Sequence, residues 1–367
     1  MRATTRSLGA ALALAVPISL IGASCSSSSD TSSTGGSTGG SSMSSDMDFA
    51  SLSGSLQGSG ATFPKAFYDE ARAEFATVAP DLQVEYSGGG SGKGKQDLAN
   101  EVVQWAGSDS LVKEEDIPTF KGGEFLYFPT VAAPITVSYN LGDVENLQLS
   151  PDTLAGLMQG DITTWNASEI AEDNPGVTLP DTPVVIAHRS DGSGTTSNFT
   201  KYLDAASEVW TLGAGDTVEW PADSQAGNGN AGVAQIVKDT DGAIGYVDFS
   251  DAVATGLTFA AIKNKDGNYV EASLEGATAA VEGAEVKDDL TYNPLNAGGA
   301  DTYPITAPTY VLVYVSQPDQ TQLDNITGWL TYLLTDGQTL APEVDFAPLP
   351  SDLQSKAMAQ LDELKVG

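Results

Sequence analysis

The sequence predicts an α/β fold with mainly parallel sheets, arranged in two domains. Three observations carry this. Strand-like apolar runs alternate with helical ones, the pattern of β-α-β units. The stretch from Gln57 onward holds about 310 residues, more than one core usually supports. Three turns rich in Gly, Ser and Thr also sit where a strand pattern gives way to a helix pattern. They are Gly60-Ala61-Thr62-Phe63-Pro64, Gly88-Gly89-Gly90-Ser91-Gly92 and Asp191-Gly192-Ser193-Gly194-Thr195-Thr196. Ligands of parallel sheets collect at such turns.

In chain order, residues 1–25 read as an export signal. Arg2 and Arg6 form the positive region, Leu8 to Ile21 the apolar region, and Gly22-Ala23-Ser24 lead into Cys25. The apolar run is too short to span a bilayer comfortably. Cys25 is the single cysteine of the chain. Its position is similar to a bacterial lipoprotein processing site, although Gly22 stands where such sites usually carry Leu. Lipidation of Cys25 and anchoring on the outer face of the cell membrane are therefore expected. Without a second cysteine, no internal disulfide can form. Ser26 to Ser45 is almost all Ser, Gly and Thr, which cannot bury a core; residues 26–55 read as a flexible tether.

The strand candidates are Leu82–Tyr86, Ile135–Tyr139, Val184–Ala187, Ala243–Val247, Leu257–Ile262 and Tyr310–Val315. Pro64–Val78 reads as a helix because Phe67, Ala71, Phe75 and Val78 share a face. Lys95–Trp105 follows the glycine run. Ser150–Gln159 has a Ser cap, Pro151 at the first position and Gly160 as its stop. Thr195–Ala206, Ala231–Lys238, Gln320–Leu334 and Asp352–Lys365 complete the helices.

Charge excludes one class of function. The chain has 16 Lys and Arg against 49 Asp and Glu, a formal charge of −33, which argues against nucleic acid as a partner. Loss of Arg2 and Arg6 with the signal makes the mature chain more acidic still. The acids read as a solvated surface.

A helix N-terminus carries free N–H groups and partial positive charge, so the three turns are ready anion sites. In so acidic a chain, local dipoles must hold any bound anion. Arg189 lies two residues before the third turn. Its guanidinium can grip an oxyanion with two parallel bonds, and Asp191 is placed to orient it. Gly107-Ser108-Asp109-Ser110 adds a carboxylate. Phosphate carries at least one proton near neutral pH, whereas sulfate carries none. Asp109 could accept that proton's hydrogen bond and would oppose sulfate lone pair to lone pair.

Other chemistries fit less well. A nucleotide-binding P-loop ending at Gly92-Lys93 needs Gly at 87 and Ser or Thr at 94, where the chain has Ser87 and Gly94. Asp191-Gly192-Ser193-Gly194 could be a hydrolase nucleophile turn, but the base must be His188, the single histidine. One His and one Cys do not build a typical zinc or copper site; no metal and no cofactor is expected.

Taken in order, these pieces resemble the phosphate-binding lipoprotein of the bacterial ABC phosphate transporter. The likeness runs from about Leu56 to Leu361, over Gly58–Pro64, Gly107–Asp109, Gly160–Trp165, Arg189–Thr195, Gly227–Gly232 and Gly242–Tyr246. The resemblance implies a type II periplasmic-binding-protein fold, with two α/β lobes on two hinge strands. Lobe 1 would comprise 56–133 and 308–367, and lobe 2 would comprise 134–307. It implies a phosphate cage of Thr62, Phe63, Ser91, Asp109, Arg189, Ser193, Gly194 and Thr195, with Asp191 holding Arg189. Lys93 and Lys95 depart from the small or apolar residues common at that point. The implied protein is a monomeric capture protein that closes on inorganic phosphate and passes it to permease subunits. The alternatives are a binder of sulfate or molybdate, or a secreted phosphatase or hydrolase using Ser193 or Asp109.

Overall fold

The computed structural model describes residues 47–367. The signal, Cys25 and residues 26–46 of the expected tether lie outside the described residues. The last part of that tether is folded rather than free. Phe49–Ser51 form a 3-10 turn. Leu52 is buried, and the Phe49 ring meets Phe75 and Tyr332 edge-on at 5.6 and 6.0 Å. Two large apolar side chains with a core to enter outweigh the polar residues around them.

The main sheet holds eight principal strands. They are β1 (Gly54–Gly60), β2 (Leu82–Gly88), β3 (Trp105–Ser108), β4 (Phe125–Tyr139), β5 (Val185–Arg189), β6 (Gln225–Gly227), β7 (Ala243–Asp248) and β8 (Thr306–Tyr314). Their spatial order is β2-β1-β3-β8-β4-β7-β5-β6. β1 pairs parallel with β2 and β3, and β5 pairs parallel with β6 and β7. The two parallel groups are the cores of two lobes. Long β4 passes through both: Phe125 to Pro134 run antiparallel to β8, and Ile135 to Tyr139 run antiparallel to β7. Where β4 changes partner, the Ile135 N–H donates to the Ile305 carbonyl at 2.8 Å. β4 and the chain entering β8 are thus the two strand crossings between lobes.

The helices that matter here are α1 (Lys65–Val78), α2 (Ser91–Ala99), α3 (Pro151–Met158), α4 (Gly194–Ala206), α5 (Gly229–Asp239), α6 (Phe249–Thr255), α7 (Gln320–Leu334) and α8 (Ser351–Gln360). α1 buries Phe67, Ala71 and Phe75 along one face, with Val78 left exposed. α3 begins as its sequence dictates, with the Thr153 N–H donating to the Ser150 hydroxyl at 3.3 Å. α7 occupies the expected span.

Aromatic packing fixes the first lobe. Trp105 stacks on Tyr86 at 4.8 Å between centroids and meets Tyr68 edge-on at 5.3 Å. This explains two glycines of β1. A Cβ on Gly58 would fall 2.1 Å from the Trp105 ring, and one on Gly60 would fall 2.1 Å from the Gly107 carbonyl.

Three expected elements differ. The helix expected at Lys95–Trp105 starts earlier, at Ser91, and stops at Ala99. Glu101 has φ 58°, which ends the helix, and Trp105 is drawn into β3. Leu257–Ile262 is split: Thr258–Phe259 pairs with β4, and Ala261–Lys263 joins a small sheet with Gln148–Leu149. The final helix ends at Gln360, and Lys365–Val366 pair with Ser316–Gln317. No helix among the described residues is long and apolar enough to cross a membrane.

Candidate functional site

The three donor-rich turns lie at the carboxyl ends of β1, β2 and β5 and open α1, α2 and α4. The Gly60 carbonyl accepts N–H groups from both Gly89 and Gly90 at 2.9 Å, which locks the first two turns together. Gly90 needs φ +87° to make this turn. Ser91 then opens α2 fully buried, and its hydroxyl oxygen accepts from the Asp109 N–H and the Gly194 N–H, each at 3.1 Å. Gly194 belongs to the other lobe, so this one oxygen joins the two.

Asp109 follows β3 and is 3% exposed. Its Oδ1 accepts the Thr309 hydroxyl at 2.7 Å, and its Oδ2 lies 3.4 Å from Ser91 Oγ. Burial pushes its carboxyl up to about 7, against the pull of the Thr309 hydrogen bond and the Arg189 charge. A carboxyl in this state both accepts and gives up a proton near neutrality.

Arg189 ends β5 and is 4% exposed. Its Nε donates to Asp191 Oδ1 at 2.9 Å, and its Nη2 donates to Asp191 Oδ2. Its Nη1 reaches Thr195 Oγ1 at 3.4 Å. One edge of the guanidinium is thus fixed by Asp191, while the rest faces the start of α4. Burial acts to raise the Asp191 carboxyl, but the Arg189 hydrogen bonds and charge, with the Gly229 N–H, outweigh it and hold it below its ordinary value.

Ser193 caps α4: its Oγ accepts the Thr196 N–H at 3.1 Å, which leaves its own O–H proton free to donate. Gly194 packs without room for a side chain, since a Cβ there would sit 2.4 Å from Ser91 Oγ. Thr195 is fully buried, and its Oγ1 accepts from Asn230 Nδ2 at 3.2 Å.

The first turn joins the same network. Thr62 Oγ1 accepts from the Asn230 backbone N–H at 3.2 Å and from Asn230 Nδ2 at 3.3 Å. Phe63 is buried beside it, its ring edge-on to Phe346 at 5.8 Å. Further bonds cross between lobes from Gly92 N–H to the Gly192 carbonyl at 2.9 Å and from Asn198 Nδ2 to the Asp109 carbonyl at 2.6 Å. The lobes are therefore in contact over the site, and the candidate residues Thr62, Phe63, Ser91, Asp109, Arg189, Asp191, Ser193, Gly194 and Thr195 gather around one region.

The structure adds residues that sequence reading missed. Asn230, at the start of α5, links Thr62 to Thr195, and the neighbouring Gly229 N–H donates to Asp191 at 3.1 Å. The Gly227–Gly232 motif was visible, but nothing in it singled out Asn230. Thr309 and Asn198 flank Asp109 from distant parts of the chain. Tyr246 holds the backbone, accepting the Arg189 N–H at 3.1 Å and pairing with the Thr196 hydroxyl at 2.6 Å.

The hydrolase arrangement is not assembled. The His188 ring stacks on Trp220 at 5.2 Å, and its Nδ1 lies 2.9 Å from the Arg189 carbonyl. Ser193 Oγ is engaged with the Thr196 N–H instead.

Comparison with known proteins gives the family. A model described as the PBP superfamily domain matches residues 31–337. The phosphate-binding protein PstS of Methanocaldococcus jannaschii is 34% identical, over 84% of this chain and 86% of its own length. The chain belongs to the PstS family of phosphate-binding proteins. PstS of Haemophilus influenzae is 32% identical, over 83% of this chain and 92% of its own. The fold is that of the type II periplasmic binding proteins. A high-affinity periplasmic phosphate-binding protein solved with phosphate superposes with a TM-score of 0.70 at 23% identity, covering 84% of this chain and 94% of that one. A phosphate-binding protein from Stenotrophomonas maltophilia gives 0.64 at 20% identity, covering 83% and 93%.

Proposed function

We propose that this protein captures inorganic phosphate outside the cytoplasm and delivers it to an ABC permease. The observation that carries the reading is the pairing of a buried proton acceptor, Asp109, with Arg189 and three helix N-termini. Donors alone would hold any tetrahedral oxyanion. A carboxyl that accepts a hydrogen bond selects one that still carries a proton.

In this reading Phe63 contributes an N–H from the turn that precedes α1 and Thr195 a first-turn N–H of α4, while Thr62, Ser91, Ser193 and Thr195 contribute hydroxyls. Arg189 pairs with an oxygen and Asp191 holds it there. The ligand is stripped of water and its hydration is replaced by fixed dipoles and charge-assisted bonds. Lobe 1 comprises 56–133 and 308–367 and lobe 2 comprises 134–307, with hinge motion about the two crossings opening the cleft. The protein acts as a monomer without catalysis, tethered by a lipid on Cys25. The family's named members and the bonds that cross the cleft support this reading.

Calorimetric titration of residues 46–367 with phosphate and with sulfate, after bound ligand is stripped, tests it. One-to-one phosphate binding without sulfate binding is expected. Sulfate binding alone would overturn the ligand, and turnover of a chromogenic phosphate ester would overturn the non-catalytic role.

A further inference from the structure

Outside the cage, one charged side chain touches both lobes at once. Lys95 lies on α2, one turn after Ser91. Its ammonium donates to Ser110 Oγ at 2.8 Å and to the Leu111 carbonyl at 3.3 Å, both in the loop directly after Asp109. It also pairs with Asp216 Oδ2 at 2.8 Å, across the cleft. An ammonium has three donors, and all three are used.

Asp216 is tied to the other half of the cage. Its carbonyl accepts the Ser193 N–H at 2.9 Å, and the adjacent Gly215 N–H donates to Thr200 on α4 at 3.2 Å. Lys95 and Asp216 are 14% and 22% exposed, so water screens the pair only in part. Lys201 on α4 feels the charges of both, and Asp216 in turn acts on Asp109.

We infer that Lys95 and Asp216 form a latch between the lobes that positions the Asp109 loop against the Ser193 turn and slows ligand release. The pair can form only when the lobes meet, so its energy belongs to the closed arrangement. A ligand that requires closure is then held longer, because affinity scales with the closed population. The partners lie far apart in sequence, and neither contributes to the cage itself. This inference rests on the phosphate reading above.

The test is the phosphate release rate, measured by stopped flow, for the full chain and for Lys95→Met, Asp216→Asn and the double variant. Each single variant should release phosphate about tenfold faster, an effect in the range of partly buried ion pairs between two surfaces. The double variant should be no faster than Lys95→Met, because the ion pair is already lost in that variant along with the bonds to Ser110 and Leu111. Molar NaCl should speed release from the wild type and leave Lys95→Met nearly unaffected. The melting temperature of the ligand-free protein should stay the same in all four. Unchanged release, additive effects, or a ligand-free melting temperature that falls in step with affinity each overturn the latch. A wild type that binds no phosphate would instead remove the functional reading. The latch, whose effect is on ligand release, would then fall with it.

Discussion

Gly194→Ala separates closure of the cleft from stability of the fold. Gly194 opens α4 at an ordinary helical position, so alanine fits its backbone and should stabilise the ligand-free protein by about 0.4–1 kcal/mol. In the closed arrangement the new Cβ would lie 2.4 Å from Ser91 Oγ, 2.7 Å from Asp109 Cβ and 2.8 Å from Asp109 Oδ2, where ordinary contact begins at 3.4 Å. The lobes must therefore stand off by about 1 Å locally, since close-packed interiors do not absorb such an overlap. That displacement lengthens the 3.1 Å bond from the Gly194 N–H to Ser91 Oγ beyond hydrogen-bond range. It also draws the α4 donors back from an anion held by α1 and α2. Losing one buried neutral bond and weakening one charge-assisted bond costs about 3–4 kcal/mol, or about 10²–10³-fold in phosphate affinity. Calorimetry gives the affinity, and a thermal melt of the ligand-free protein gives the stability. Phosphate binding within threefold of wild type, in a variant that melts at or above the wild-type temperature, would refute the claim that Gly194 is required by the approach of the lobes.

Arg189→Ala should weaken phosphate binding by at least about 100-fold, because it removes a charge-assisted donor and leaves the partly buried Asp191 with only the Gly229 N–H; an unchanged affinity would take Arg189 out of the site. Asp109 makes ligand-free stability depend on pH. Burial raises its folded carboxyl to about 7, above the ordinary carboxylate range, so the native state holds its proton through a range where the unfolded chain releases it. Its contribution is full below about pH 4, falls as pH rises to about 7 and is flat above, with an upper bound of about 4 kcal/mol. Asp248 and Asp251 are also raised and add slope of the same sign, so the check is the wild type against Asp109→Asn in urea unfolding from pH 4 to 8, where the variant should show the shallower decline. Ser150→Ala removes the α3 cap and should cost about 1 kcal/mol of stability without altering phosphate affinity, measured by denaturant unfolding and calorimetry.

Elements with a strong local signal could be read from the sequence. Gln320–Leu334 is helical over the expected span, and Ser150, Pro151 and the positive-φ Gly160 bound α3 as their chemistry requires. The three turns could be read because free N–H groups at a helix start need small residues around them. β1 was missed because Gly54-Ser-Leu-Gln-Gly-Ser-Gly60 has the composition of a loop. Its glycines are there to admit Trp105 and the Gly107 carbonyl, contacts that appear only in three dimensions. The end of α2 was misplaced because Val102, Val103 and Trp105 continue an apolar pattern past the left-handed Glu101. Asn230 and Thr309 escaped notice for a related reason: each side chain bonds a site residue more than a hundred positions away, Asn230 to Thr62 and Thr309 to Asp109. Lys95 could be seen as an unusual charge near the site, but its partner Asp216 could not.

The central claim is that the site recognises an oxyanion through the proton it carries. Parallel calorimetric titrations of the wild type and Asp109→Asn with phosphate and sulfate at neutral pH test it most directly. The account predicts wild-type preference for phosphate of about 10⁴-fold or more, and in the variant weaker phosphate binding with measurable sulfate binding. A variant that binds phosphate as tightly as the wild type and still rejects sulfate would contradict it.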